Sequence, residues 1–435
     1  MERRARDAGL SNPAVDGQVR LQKAPARGEK VMRTSSAVQY LGAAAGFGVF
    51  LLAVATSPAA AQSPGSPKGF IVSSIKYALS KDASETGACP NGMTAGYSNM
   101  SDVFVSKPPA LEKKDGETED AYLRRTYRAV FSDPNAKNLC MNPELGHPNP
   151  TFRTVTGKNV PAYGIDLDGQ DSRADGKPAP GTCAHDDFRG FNGEKGIDNQ
   201  FFRVVGCSKS YQSTGQSNTY EIGMFAGEWG ILLTLKGVDN LQNDDNVEVG
   251  FFASADPIEL SPTRQPLANA TYAAEQNPRF RAVAHGRIVN GVLTTDPVDV
   301  RFHWIVNNIH LERVLDDARL RMTFTPDGGL DGVLAGYVPV EDAYDINYGF
   351  RSGKDANGNP APYGLRAGSS IGQARVLEHT CEGAYYALQQ AADGHRDPAT
   401  GKCTAISTQY LIKAIPAFVV DVATKSVNSD LDKNK

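Results

Sequence analysis

Turn signals set between short apolar runs restrict the middle of this chain to hairpins. FRAVAHGRIV and VLTT flank Asn290-Gly291, a pair suited to the tight turn between two antiparallel strands. RFHWIV and IHLERV flank Asn307-Asn308, and RLRMTFT and LDGVLAGYV flank Pro326 to Gly329. From Thr219 onward, TYEIGMFA, WGILLTLKGV and NVEVGFFAS also read as strands. Nearer the start, Ile71, Ser73, Ile75, Tyr77 and Leu79 alternate onto one face. Short strands with regular turns predict a mainly β (α+β) chain. Its core over residues 216–340 is expected to be an antiparallel β-sandwich or jelly roll.

Helical spacing is confined to the flanks. Leu123, Tyr127, Val130 and Phe131 recur at that spacing behind Thr118-Glu119-Asp120, which predicts a short amphipathic helix. Residues 62–215 otherwise read as an irregular, disulfide-stapled, Asp-rich region. In residues 341–435 a loop precedes ARVLEHTCEGAYYALQQAADG, where Leu377, Cys381, Ala384, Tyr385, Leu388 and Ala392 share one helical face. Gly394 is its expected left-handed stop. TAISTQYLIKAI, ended by Pro416, would form the second arm of a C-terminal helical hairpin.

Residues 1–61 read as an N-terminal extension and a signal peptide. YLGAAAGFGVFLLAVATS (40–57) follows Lys30 and Arg33 and leads into Ala59-x-Ala61, the order of parts in a secretory signal. A membrane anchor is the alternative, since a span needs about 20 apolar residues. The Ala/Gly-rich run and the small-residue exit favour cleavage, which leaves no membrane span. Met32 is a second candidate start, so the residues before it carry no fold argument. All six cysteines, Cys89, Cys140, Cys183, Cys207, Cys381 and Cys403, follow the predicted cut. An even number in an exported chain predicts disulfides and a periplasmic or secreted location. Proximity along the chain favours Cys89–Cys140, Cys183–Cys207 and Cys381–Cys403. No CxxC occurs, which removes the usual signal of a zinc ribbon or a thioredoxin-type site. Beyond Ala61, 37 basic residues face 45 acidic ones, a net charge of −8 that argues against nucleic acid as partner.

The stretch richest in potential ligands is GIDLDGQDSRADG (164–176), followed by CAHDDF (183–188) and GEKGIDNQFF (193–202). Asp166, Asp168, Asp171, Asp187 and Asp198 are the candidate metal ligands. Crowded carboxylates repel unless a cation separates them, and flexible Asp/Gly loops suit calcium. The DxDG spacing resembles the start of an EF-hand loop, but Gly169 comes too early and Lys177 stands where the closing Glu belongs. An irregular calcium site is therefore expected, with a solvated acidic loop built on Asx-turns as the plainer reading. His185 beside Asp186 and Asp187 is a candidate general base, or a surface residue.

Other groupings are weaker. Across a turn at Asn307-Asn308, His303 would face Glu312 and His310 would face Ile305, which sets the two histidines on opposite faces. Asp355, Asn357 and Asn359 alternate oxygen donors but fit a plain turn. Trp229, Trp304, Tyr385 and Tyr386 could form an exposed platform, although aromatics of this kind usually sit in the core.

C-x-HDDF…GEKGIDNQFFRVVGC, WGILLTLKGV…NDDNVEVGFF and LDGVLAGYV together resemble a group of uncharacterised exported bacterial proteins with an Asp-rich GIDN segment ahead of a β-rich region. The similarity covers roughly residues 160–340. It implies that the Asp-rich loop and the strands form one unit, and it implies no reaction. With no complete catalytic motif, the expected function is a non-enzymatic binding or accessory protein with an ion-ordered loop. Its partner would be an unidentified ligand or an envelope protein. A secreted hydrolase centred on His185 and an envelope assembly component are the alternatives.

Overall fold

Period-two alternation in the sequence becomes an eleven-stranded sheet. The computed structural model describes residues 67–79, 87–105, 112–157, 159–172, 177–211 and 219–423. The predicted signal peptide and the polar tail lie outside the described residues. The strands are β1 (Lys68–Tyr77), β2 (Ile231–Lys236), β3 (Asn243–Ala253), β4 (Thr271–Ala274), β5 (Arg281–Val289) and β6 (Val292–Thr295). They continue with β7 (Val298–Val306), β8 (Ile309–Phe324), β9 (Leu330–Pro339), β10 (Gly394–Arg396) and β11 (Cys403–Asp421). The α-helices are α1 (Glu119–Phe131), α2 (Gln200–Val205), α3 (Thr219–Phe225), α4 (Val340–Tyr344), α5 (Tyr363–Leu377) and α6 (Cys381–Ala391).

Strand exceeds helix, as expected, but two facing sheets are not what the ladders form. The order β1-β2-β3-β5-β6-β8-β9-β11 returns to β1, which pairs antiparallel with both β2 and β11. Eight strands thus close a ring, a barrel in place of the expected sandwich or jelly roll. Closure satisfies strand edges that an open sheet would leave unpaired. Three short or partial partners lie outside the ring: β7 on β8, β10 on β11, and β4 parallel to the end of β11.

Register places Leu233, Val249, Ile288, Met322, Leu334 and Ile412 on the inner face, and all are buried. Each contributes roughly 1.5–3 kcal/mol by leaving water. In β1 a bulge between Val72 and Ser74 shifts the alternation. Val72 and Ile75, rather than Ile71 and Ile75, therefore share the inner face. The bulge also presents Ser74 Oγ and Ile75 N to the Glu221 carboxylate, at 2.5 and 3.2 Å.

Both Asn-containing hairpins form as read. Asn290, Gly291, Asn307 and Asn308 all have positive φ, the requirement of their turn type. His303 pairs with Glu312, and Ile305 with His310. α1 starts where Thr118 accepts from Ala121 N, at 3.3 Å.

Four local expectations fail. TYEIGMFA is largely helix α3, tied to β1 through Glu221. Residues 341–371 hold α4, a π-helical turn and the start of α5, and the expected loop is confined to residues 350–362. The long predicted helix breaks at Glu378, whose φ is 54°, and restarts at Cys381. TAISTQYLIKAI is strand β11, so it does not form the second arm of the expected helical hairpin. Its β-branched residues alternate, and Ile406, Thr408, Tyr410 and Ile412 point into the ring.

The disulfides are Cys89–Cys207, Cys140–Cys381 and Cys183–Cys403, with sequence separations of 118, 241 and 220. None of the proximity pairs forms. Sequence distance misleads because ring closure brings the first and last strands side by side, and their flanking loops with them. Three disulfides fit an oxidising, exported environment. No helix among the described residues is long and apolar enough to cross a membrane.

Candidate metal centre

The Asp-rich loop lies on the outer surface of the ring, over β8, β9 and β11. Gln409 on β11 holds the loop as a strand would: its Oε1 accepts from Ile165 N at 2.6 Å and its Nε2 donates to Ile165 O at 2.7 Å. The same Nε2 donates to Asp198 O. A side chain at Gly164 would stand 2.5 Å from Gln409 Oε1, so the close approach requires glycine. Leu167 packs with Ala335, Tyr337 and Ala405, and its carbonyl accepts from Arg319 Nη1 at 2.5 Å.

Three carboxylates converge beneath this loop, each fixed in the same way. Asp198 Oδ2 accepts from Leu167 N (2.6 Å) and Asp168 N (3.2 Å). Asp187 Oδ2 accepts from Ser172 N at 2.6 Å. Asp393 Oδ1 accepts from Ser407 N at 2.7 Å. The second oxygen of each points toward one atom, His185 Nε2: Asp198 Oδ1 at 2.8 Å, Asp187 Oδ1 at 2.9 Å and Asp393 Oδ2 at 4.0 Å. All three side chains are 0% exposed and that of His185 is 5% exposed. Asp393 Oδ2 accepts no hydrogen bond. Asp168 adds a fourth carboxylate, with a ligand atom within 4.8 Å of those of His185 and Asp198.

His185 has a defined tautomer. Its Nδ1 lies 2.7 Å from Cys183 O, a pure acceptor, so Nδ1 carries the proton. Nε2 is left facing the carboxylates, the orientation in which a backbone carbonyl sets an imidazole for a metal. The Cys183–Cys403 disulfide joins this carbonyl to β11, and Cys183 N donates to Asp393 O at 2.8 Å.

Burial and mutual repulsion set the electrostatics of the cluster. Burial opposes charge on His185, but Asp187, Asp198 and Asp393 outweigh it and push its pKa up to about 11. Burial pushes Asp393 up to about 6. Burial also raises Asp198, and the charges of Asp168 and Asp393 raise it further. Several buried carboxylates gathered around one imidazolium repel one another. A divalent ion would neutralise the cluster. Octahedral ligands about 2.1 Å from an ion stand about 3 Å from their neighbours and about 4.2 Å from the opposite ligand. Asp168, His185 and Asp198 each offer one such atom, and the three lie within 4.8 Å of one another.

Of the five predicted ligands, Asp168, Asp187 and Asp198 come together here. Asp166 is exposed and accepts from Gly169 N at 2.6 Å, as an Asx-turn does. Asp171 pairs with Arg189 at 2.9 Å. His185, considered as a base or a surface residue, is buried at the centre. Asp393 had no signal in the sequence, because it lies far from the Asp-rich stretch and arrives through the β10–β11 pairing. The other candidates are structural. His303 is buried against Phe280, with ring centroids 3.9 Å apart. Asp355 Oδ1 accepts from Asn357 N and Asn359 N within a turn. Trp229 and Trp304 are buried and pack edge to face.

No protein-family model matches the chain, and neither the curated proteins nor the solved structures include a match.

Proposed function

We propose that this is an exported, non-enzymatic binding or accessory protein whose Asp-rich loop is ordered by a divalent cation. His185, Asp168 and Asp198 would hold the ion, completed by Asp187 and Asp393 on the His185 side. One observation carries the reading: three buried carboxylates, each anchored at one oxygen by a backbone N–H, turn the other oxygen toward a single imidazole nitrogen. Calcium was the expectation from the acidic loop. Calcium prefers oxygen alone, so an imidazole among carboxylates favours a transition-series ion such as Zn²⁺, or Mn²⁺ where carboxylates dominate. The hydrolase reading centred on His185 is less well supported, since Cys183 O engages Nδ1 and Asp187 and Asp198 engage Nε2.

The test is elemental analysis of protein purified without added metal, followed by chelation and titration with Mn²⁺, Zn²⁺ and Ca²⁺. One equivalent of a transition ion is expected, lost in Asp187→Asn. Absence of any bound ion, with melting curves unchanged by chelation, would remove the proposal.

A further inference from the structure

Directly beside the carboxylate cluster lies a pocket of about 460 Å³. Asp168 belongs to both places, and Tyr337 lines the pocket beside it. The pocket lining also includes Thr182, Asp317, Arg319 and Arg396. From these observations we infer that the pocket binds a neutral polyhydroxylated ligand, a mono- or disaccharide unit. The inference rests on the reading of this chain as a binding module and names the class of ligand.

Three observations support it. First, the lining carries charges of both signs in equal number: Asp168 and Asp317 against Arg319 and Arg396. A net-charged ligand would meet an opposing charge wherever it lay. Vicinal hydroxyls, in contrast, donate to carboxylates and accept from guanidinium groups together. Second, these groups retain unused hydrogen-bonding capacity. Arg319 uses Nη1 on Leu167 O and Arg396 uses Nε on Gly401 O. Neither guanidinium pairs with a carboxylate among the described residues.

Third, the Tyr337 hydroxyl is buried, 5% exposed for the residue, lines the pocket and has no hydrogen-bond partner. A buried donor without an acceptor costs stability unless a ligand supplies one. Gly394 holds the ring in place, since a Cβ there would lie 2.3 Å from it.

The rim is shaped for this purpose. A bulge in β8 between Asp316 and Arg319 interrupts pairing with β9. It leaves Asp317 at φ 50°, hydrogen-bonded at 3.0 Å to His395, itself at φ 54°. Bulges and left-handed non-glycine residues concentrate where side chains must be aimed at a ligand. The volume falls in the range of small-molecule sites and exceeds what a single small ion needs.

The experiment is saturation-transfer NMR on the metal-loaded full chain, using glucose, galactose, N-acetylglucosamine, cellobiose, lactose and chitobiose. Calorimetry would follow for each sugar that gives a signal, with inorganic phosphate as the anionic comparison. At least one sugar is expected to bind saturably. Tyr337→Phe and Arg396→Gln should each weaken it about tenfold, the worth of one hydrogen bond to a charged or buried group. Arg396 is on the exposed rim, so that variant stays informative if Tyr337→Phe fails to fold. Binding of none of the six, binding unaffected by both substitutions, or binding of phosphate alone would overturn the inference. Sugar binding without metal uptake would remove the metal centre and leave the pocket standing. Metal uptake without sugar binding would do the reverse.

Discussion

Replacing Asp393 by Asn should move stability and metal affinity in opposite directions. The amide is isosteric, and its oxygen can keep the bond from Ser407 N that Asp393 Oδ1 now makes at 2.7 Å. The substitution removes the charge at Oδ2, which is buried without a hydrogen bond. In the metal-free protein burial raises the Asp393 pKa from 3.8 to about 6. The folded state therefore holds a proton that the unfolded chain gives up earlier. That contribution is fully present below pH 4 and is lost as pH rises through 6. Above both values the ionised carboxylate costs about 3 kcal/mol of stability. Asp393→Asn should recover that amount at pH 8, a rise in Tm of roughly 4 °C for a chain of this size. At pH 4 or below the two proteins should melt alike. With metal present the ranking reverses, because the variant has lost an anionic ligand. Its affinity for Mn²⁺ should fall by about 100-fold or more. Differential scanning calorimetry at pH 4 and pH 8, with chelator and with saturating Mn²⁺, reads all four corners. A variant less stable than wild type at pH 8 in chelator, or equal to it in Mn²⁺ affinity, would refute the reasoning.

Metal affinity of the wild-type protein should rise with pH from about 5 upward and keep rising beyond 8, since protons on the raised carboxyls of Asp198 and Asp393 and the second imidazolium proton of His185 must leave before the ion binds; a pH-independent titration would contradict this. Asp166→Asn and Asp171→Asn should leave Mn²⁺ affinity within about twofold, because one faces solvent and the other pairs with Arg189. Gly394→Ala should destabilise by about 1–3 kcal/mol in urea melts, through the clash with the Tyr337 ring. Non-reducing peptide mapping should recover Cys183 linked to Cys403. Replacing both by Ser should cost about 2–5 kcal/mol and lower metal affinity, because His185 loses the anchor of its Nδ1 acceptor.

Local structure was legible wherever the chain signals its own turns. Asn290-Gly291 and Asn307-Asn308 determine register because few residues tolerate positive φ at two successive positions, and the His303–Glu312 pairing follows from that count. Long-range structure was not legible. TAISTQYLIKAI has the alternation of a strand, but its partners β1 and β9 lie far away in the sequence, so nothing local separates it from a helix. Most residues of the candidate site were visible in the Asp-rich stretch, all but Asp393. The rest depends on tertiary pairing. Asp393 joins only when β10 meets β11, and His185 is buried only once Cys183 reaches Cys403. Crowding alone also did not distinguish Asp166 and Asp171 from Asp168, because the separation depends on which backbone amides each carboxylate captures.

In the order Cys89, Cys140, Cys183, Cys207, Cys381 and Cys403, the bonds join first to fourth, second to fifth and third to sixth. No thiol has its immediate successor as its partner. An oxidase acting on the polypeptide as it emerges would therefore seal wrong crosslinks first, and they would need reshuffling by thiol exchange. Maturation should then depend on an isomerase, and the last native link must wait for Cys403. A host lacking that helper would accumulate scrambled isomers instead of a finished protein.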